Sequence, residues 1–242
     1  MFLCICMPDK KAHCDAFFDM LGISPVYINP VNKRTLNLPD LHAKGIVSRT
    51  WTRRAPLPGA PMAFEVACAL SHLSACQHIV ESGVPWACVF EDDNIIVNEQ
   101  SVACFKQIIN WAELNTNAFN VINLSPCNSV HTSCVGLCPG TQGCTNALLY
   151  SRQGAMYVTR NILPVRSPID DWLHSNMPDS SCLHKRIFAQ QDAQQWSILA
   201  VLNPVLWKRE YLINFHSVCV YGLYATIVLG AMTMPLWTSS VW

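Results

Sequence analysis

The run Trp86-Ala87-Cys88-Val89-Phe90 is apolar at every position and passes directly into Glu91-Asp92-Asp93. A strand with no polar face must be covered on both sides, so this run predicts the centre of a sheet with helices packed on each face. The rest of the chain alternates in the same sense. Residues 2 to 7 predict a first strand, Lys11 to Leu21 a helix ending at Gly22, and Pro25 to Ile28 a second strand. From Phe64 to Ser82, Val66, Leu70, Leu73 and Val80 recur at three- and four-residue spacing, an amphipathic helix stopped by Gly83 and Pro85. A helix around Ser101 to Glu113 precedes a strand over Asn120 to Leu124. Asn146 to Tyr150 predicts a further strand, with Ser151 placed to cap a helix from Gly154 to Ile162. This pattern predicts an α/β fold, an open sheet flanked by helices, in a single domain over residues 1–210.

Only 13% of the 242 residues are charged and 51% are apolar, where an ordinary soluble domain has about a quarter charged. Sixteen basic and sixteen acidic side chains cancel, so no global field favours nucleic acid as a partner. The one strong asymmetry lies in residues 31–62, where Lys33, Arg34, Lys44, Arg49, Arg53 and Arg54 face a single acid, Asp40. After Glu210 no charged side chain appears, which sets residues 211–242 apart as a hydrophobic tail. Val218 to Trp237 is long enough to cross a bilayer, yet Gly222, Thr226, Gly230, Thr233 and Pro235 dilute it. Two readings stand open. The tail is a membrane anchor, with Lys208 and Arg209 favouring a cytosolic domain before it, or a buried terminal element. The apolar run at residues 2–7 is too short for a signal-peptide core, so a cytoplasmic or membrane-associated chain is expected.

Most of the thirteen cysteines, among them Cys68, Cys76, Cys88 and Cys104, lie in apolar surroundings and read as small hydrophobes. Cys127, Cys134, Cys138 and Cys144 are denser, with His131 among them. Their spacings of seven, four and six lack the paired Cys-x-x-Cys of structural zinc sites. Free thiols or one local disulfide are therefore favoured over a zinc-stabilised interaction module.

Three consecutive carboxylates at the end of a buried strand are costly unless a cation or hydrogen bonds compensate them. Ligands of open α/β sheets bind beyond the carboxyl ends of strands, where this triplet falls. Strand-like alternation would turn Glu91 and Asp93 one way and Asp92 the other. Hard oxygen donors so spaced suit Mn²⁺ or Mg²⁺ clamped on a diphosphate. The alternative is an acidic turn whose carboxylates only meet water or backbone donors. Glu65 and His72, seven apart, share a helix face that either approaches a ligand or packs as a buried pair.

The run Phe64-Glu65-Val66-Ala67-Cys68-Ala69-Leu70-Ser71-His72, followed by Val89-Phe90-Glu91-Asp92-Asp93, resembles family 25 glycosyltransferases. That family includes bacterial lipopolysaccharide galactosyltransferases and animal procollagen galactosyltransferases. Ala118 to Leu124 is similar to its Asp-x-Ile-x-Leu strand, Asn146 to Ala155 to its Tyr-x-x-Ser-x-x-Gly-Ala block, and Ser167-Pro168-Ile169-Asp170 to its Pro-Ile-Asp. The blocks keep the family's order over residues 64 to 173. One departure stands out: Ile5-Cys6-Met7-Pro8-Asp9 lacks the Asn and the Arg that usually follow the family's first strand.

The resemblance implies a GT-A fold and inverting transfer of a hexose, galactose or glucose, from a UDP-sugar to a hydroxyl of a glycan, lipid-linked or protein acceptor. It implies metal binding by Asp93 with Asp92 or Glu91 assisting, and donor contacts from Glu65, Ser71, His72, Asp92 and Arg152. Asp170 is the expected general base, with Asp171 able to exchange roles, and His216 is a further candidate metal ligand. A catalytically inactive GT-A-like protein that binds a partner or a membrane is the alternative.

Overall fold

The computed structural model describes residues 1–52, 62–127 and 136–191. Met1–Asp192 forms one compact unit. The tail from 211, His216, Arg53, Arg54, His131 and Cys134 lie outside the described residues, and so does the choice between anchor and buried terminal element. Among the described residues no helix is long and apolar enough to cross a membrane.

In chain order the elements are β1 (Phe2–Ile5), α1 (Lys11–Leu21), β2 (Val26–Ile28), α2 (Leu38–Ala43), α3 (Ala63–Ser82), β3 (Trp86–Glu91), β4 (Asn94–Ile96) and α4 (Glu99–Leu114). Then follow β5 (Val121–Asn123), β6 (Leu137–Pro139), β7 (Ala147–Ser151), α5 (Arg152–Asn161), α6 (Ile169–Asn176), β8 (Ser180–Leu183) and β9 (Phe188–Gln190). Gly22 takes φ +69° to end α1, as the left-handed cap position requires. The Ser151 hydroxyl accepts the Gly154 N–H at 3.0 Å, the cap expected for α5.

Among the described residues seven strands form one sheet in the order β2-β1-β3-β7-β5-β8-β6, and β4 pairs with β9 apart from it. Strands β2, β1 and β3 run parallel, and so do β5 and β8, but β7 is antiparallel to both neighbours and β6 to β8. The sheet is therefore mixed. Because β7 runs against β3, its first residues lie beside the carboxyl end of β3 (Phe90 opposite Ala147), and its last residue lies beside the start of β3 (Trp86 opposite Ser151).

Successive residues of the central strands enter opposite cores, as the two-residue period of a strand demands. Leu3, Ile5, Ala87, Val89, Leu148 and Tyr150 pack with α3, α5 and α6. Cys4, Cys88, Phe90, Ala147 and Leu149 pack with α1 and α4. The second core is aromatic: Phe17, Phe18, Phe105 and Phe188 each meet the Phe90 ring edge to face at 5.3–6.0 Å. Both faces of the 86–90 run are covered, which accounts for its lack of a polar residue.

Gly154 is where α5 comes closest to the sheet. A methyl group there would run into the Asn120 carbonyl, so the glycine sets how near the helix can lie.

Candidate functional site

Strands β1 and β3 end side by side, Ile5 opposite Glu91, and a cleft of about 430 Å³ opens beyond them. Its floor is Ile5 and Met7. One wall is α3, through Ala67, Cys68, Ser71 and His72, and the other is the loop Pro30 to Arg34. The Ser71 hydroxyl joins the walls: it donates to the Ala67 carbonyl at 2.7 Å and accepts the Val31 N–H at 2.9 Å. Lys10, Lys33 and Arg34 line this cleft together with Glu91 and Asp92.

The acidic triplet divides differently from the expected alternation. Strand β3 stops at Glu91, and Asp92 and Asp93 form a turn into β4. Strand periodicity no longer applies past Glu91, so Glu91 and Asp92 both reach the cleft while Asp93 lies outside its lining. The Asp93 carbonyl accepts the Gln191 N–H at 2.7 Å, beside the β4–β9 pair. Buried Asn94 holds the turn by donating to the Glu91 carbonyl at 2.9 Å.

Glu91 is tied inward. Its Oε1 accepts from His72 Nε2 at 3.0 Å and from the Thr145 hydroxyl at 2.7 Å, with the Cys68 thiol at 3.7 Å. Burial opposes its charge, but the His72 bond and the other donors prevail and hold its carboxyl below the ordinary range. Asp92 is less compensated. Its Oδ2 accepts the Met7 N–H at 2.8 Å, yet burial, with the Glu91 charge added, raises its carboxyl above the ordinary value despite Lys10 nearby. A carboxylate so placed, on a cleft wall and short of positive charge, fits the donor chemistry of a hard divalent cation.

Asp170 stands in the first turn of α6, and α6 packs on α3. Its carboxylate accepts backbone N–H groups of Asp171, Cys144 and its own residue, and burial, then the Asp171 charge, raises it. It acts at close range on Cys68, whose thiol is pushed well up by burial, Glu91 and Asp170. The segment that reaches Asp170 is itself fixed: Asn123 Nδ2 donates to the carbonyls of Thr141, Gly143 and Cys144 at 2.6, 2.6 and 3.0 Å.

Other candidates take different places. Glu65 does not meet His72; its Oε2 accepts the Met62 N–H at 3.0 Å, closing the first turn of α3. Arg152 is not brought to the cleft. The antiparallel course of β7 carries it to the far end of the sheet, where its backbone N–H bonds the Pro85 carbonyl and its guanidinium the Val80 carbonyl. The zinc reading is corrected as well: Cys127 and Cys144 are joined as a disulfide and Cys138 is also disulfide-bonded, so these sulfurs offer no thiolate to a metal. Among the described basic residues of this stretch, Lys33 and Arg34 line the cleft, whereas Lys44, at the end of α2, pairs with Asp40 at 2.7 Å. Lys10 and Thr145 escaped the sequence reading. Lys10 sits in a plain strand-to-helix turn, and Thr145 becomes significant only because antiparallel β7 begins beside Glu91.

A family model described as glycosyltransferase family 25 (LPS biosynthesis protein) matches residues 28–133. That stretch contains the 30–34 loop, α3, β3 and the acidic turn. No curated protein sequence matches the chain. Among solved structures, one titled "Crystal Structure of A197 from STIV" aligns at 12% identity and TM-score 0.32, covering 50% of this chain and 64% of that one. The chain thus spans just under two thirds of that protein, and so loose a likeness carries no argument. Over residues 28–133, the stretch that builds most of the cleft, this chain is similar to the glycosyltransferase family 25 model.

Proposed function

We propose that the chain is a metal-dependent inverting glycosyltransferase that moves a hexose, galactose or glucose, from a UDP-sugar to a hydroxyl of a glycan, lipid-linked or protein acceptor. The observation that carries this reading is the meeting of Lys10, Lys33 and Arg34 with Asp92 and Glu91 in one cleft at the carboxyl ends of parallel strands. Cations of this kind bind phosphate oxygens, and acids of this kind hold the divalent ion that phosphates also ligate. The basic loop takes the place of the Asn and Arg absent after β1.

Asp92, rather than Asp93, which lies outside the cleft lining, would hold Mn²⁺ or Mg²⁺, and the ion would supply Lewis-acid charge to the departing diphosphate. Glu91, bound by His72 and Thr145, fixes the start of the acidic turn and so the direction of Asp92. Asp170 takes the proton of the acceptor hydroxyl. Its raised carboxyl makes it a better base than an ordinary aspartate once ionised, and Asp171 maintains that shift. Ser71 keeps the basic loop at its distance from α3.

The test is a screen of UDP-sugars for Mn²⁺-dependent hydrolysis or transfer, with Asp92→Ala and Asp93→Ala beside the wild type and circular dichroism as the check on folding. Turnover by wild type, lost in Asp92→Ala, is the expected result. A wild type that neither binds UDP with Mn²⁺ nor turns over any UDP-sugar would favour an inactive GT-A-like binding domain instead.

A further inference from the structure

Behind the acidic turn, on the side of the sheet facing α1, the thiols of Cys4, Cys6 and Cys14 converge. Their sulfurs all lie within 4.8 Å of one another, and Cys6 and Cys14 are 3.4 Å apart. All three are buried, at 0, 6 and 3% exposure. Cys4 and Cys6 share one face of the first strand and its extension, and Cys14 enters from the second turn of α1. Phe17, Phe18 and Phe90 belong to the same core. The Asp92 carbonyl faces the group, 3.8 Å from the Cys14 sulfur.

We propose that Cys4, Cys6 and Cys14 form a three-thiolate site for one soft d¹⁰ cation, of the Zn²⁺ or Cu⁺ kind. This does not depend on the transferase reading. Thiolates select such ions over Mn²⁺ or Mg²⁺, so the site would not compete for the ion at Asp92. A Zn–S bond of about 2.3 Å places sulfurs roughly 3.8 Å apart around a tetrahedral centre, within the spacing of these atoms. Each thiol releases its proton as the ion enters. A bound ion would fasten β1 and α1 to the acidic turn. Among the described residues one other group has metal-ligand geometry, Cys68, His72 and Glu91, but it offers a mixed sulfur, nitrogen and oxygen set.

The test uses the full chain with its disulfides intact, exposed to Zn²⁺ or Cu⁺ separately, with bound metal counted by mass spectrometry and its neighbours read by X-ray absorption. The expected result is one retained equivalent with three sulfur neighbours, for Zn²⁺ with one lighter atom added. Affinity should fall at least tenfold in Cys14→Ser and Cys4→Ser, and hold in Cys76→Ser and Cys68→Ser. No retained equivalent of either ion, or a single sulfur in the metal's shell, would overturn the proposal. The sulfur count is read on wild type, so a variant that fails to fold does not blunt the test.

Discussion

His72 Nε2 lies 3.0 Å from Glu91 Oε1, and this bond joins the middle of α3 to the last residue of β3. His72 is almost fully buried, at 1% side-chain exposure against 22% for Glu91. The first carboxylate of the acidic triplet is thereby spent on structure, and the second is left to the cleft.

Removing the imidazole leaves the Glu91 charge with the Thr145 and Cys68 donors alone. His72→Ala should lower stability by about 3 kcal/mol, as breaking a buried pair does, and urea unfolding measures it. A change below roughly 0.5 kcal/mol, the range of an exposed pair, would contradict the role assigned to this bond.

Gly154→Ala places a methyl against the Asn120 carbonyl. Main chain cannot yield as a side-chain tip does, so α5 must move off the sheet at a cost of about 1–3 kcal/mol or more. Thermal denaturation should show a lower midpoint. An unchanged midpoint would mean that α5 does not approach the Asn120 main chain as described.

Asp170 must be ionised to act as a base, and burial with the Asp171 charge raises its carboxyl. The rate should therefore fall as pH drops through a value above the ordinary aspartate range and level off above it. Asp171→Asn removes one cause of the shift and should move this limb to lower pH. The linkage to stability has the matching sign: a raised carboxyl favours the folded state most at low pH, and that contribution is lost as pH rises through the folded-state value. Asp170→Asn should accordingly stabilise the fold at neutral pH and not in acid, while abolishing transfer. A limb that stays in place in Asp171→Asn would count against Asp170 as the base.

Lys33→Ala and Arg34→Ala remove exposed cations from the donor side of the cleft. Each should raise the KM for the UDP-sugar about tenfold, the loss of one charge-assisted phosphate contact of 1.5 kcal/mol or so, with the melting temperature unchanged. Unchanged KM in the double variant would place the diphosphate elsewhere.

The strands β1, β2 and β3 and the helices α1 and α3 were legible from their apolar patterns and stop signals, as in the 86–90 run and the 64–82 helix. The direction of β7 was not, since an apolar run reads the same in either sense, and that direction decides that Thr145 comes to Glu91 and Arg152 goes to the far end. The short strands β4, β6, β8 and β9 and the six-residue α2 are too brief for periodicity to register. Within the site, Glu91 and Asp92 of the acidic triplet line the cleft and Asp93 does not, because alternation failed where the strand ended. The Glu65 cap and the His72–Glu91 pair depend on contacts across the fold that spacing along one helix does not encode.

Calorimetric titration of UDP into the protein, with and without Mn²⁺, on wild type and Asp92→Asn is the most direct measure of the proposed site. The account predicts binding by wild type that strengthens at least tenfold with Mn²⁺, and loss of that enhancement in Asp92→Asn. UDP affinity equal in both proteins and indifferent to Mn²⁺ would contradict it.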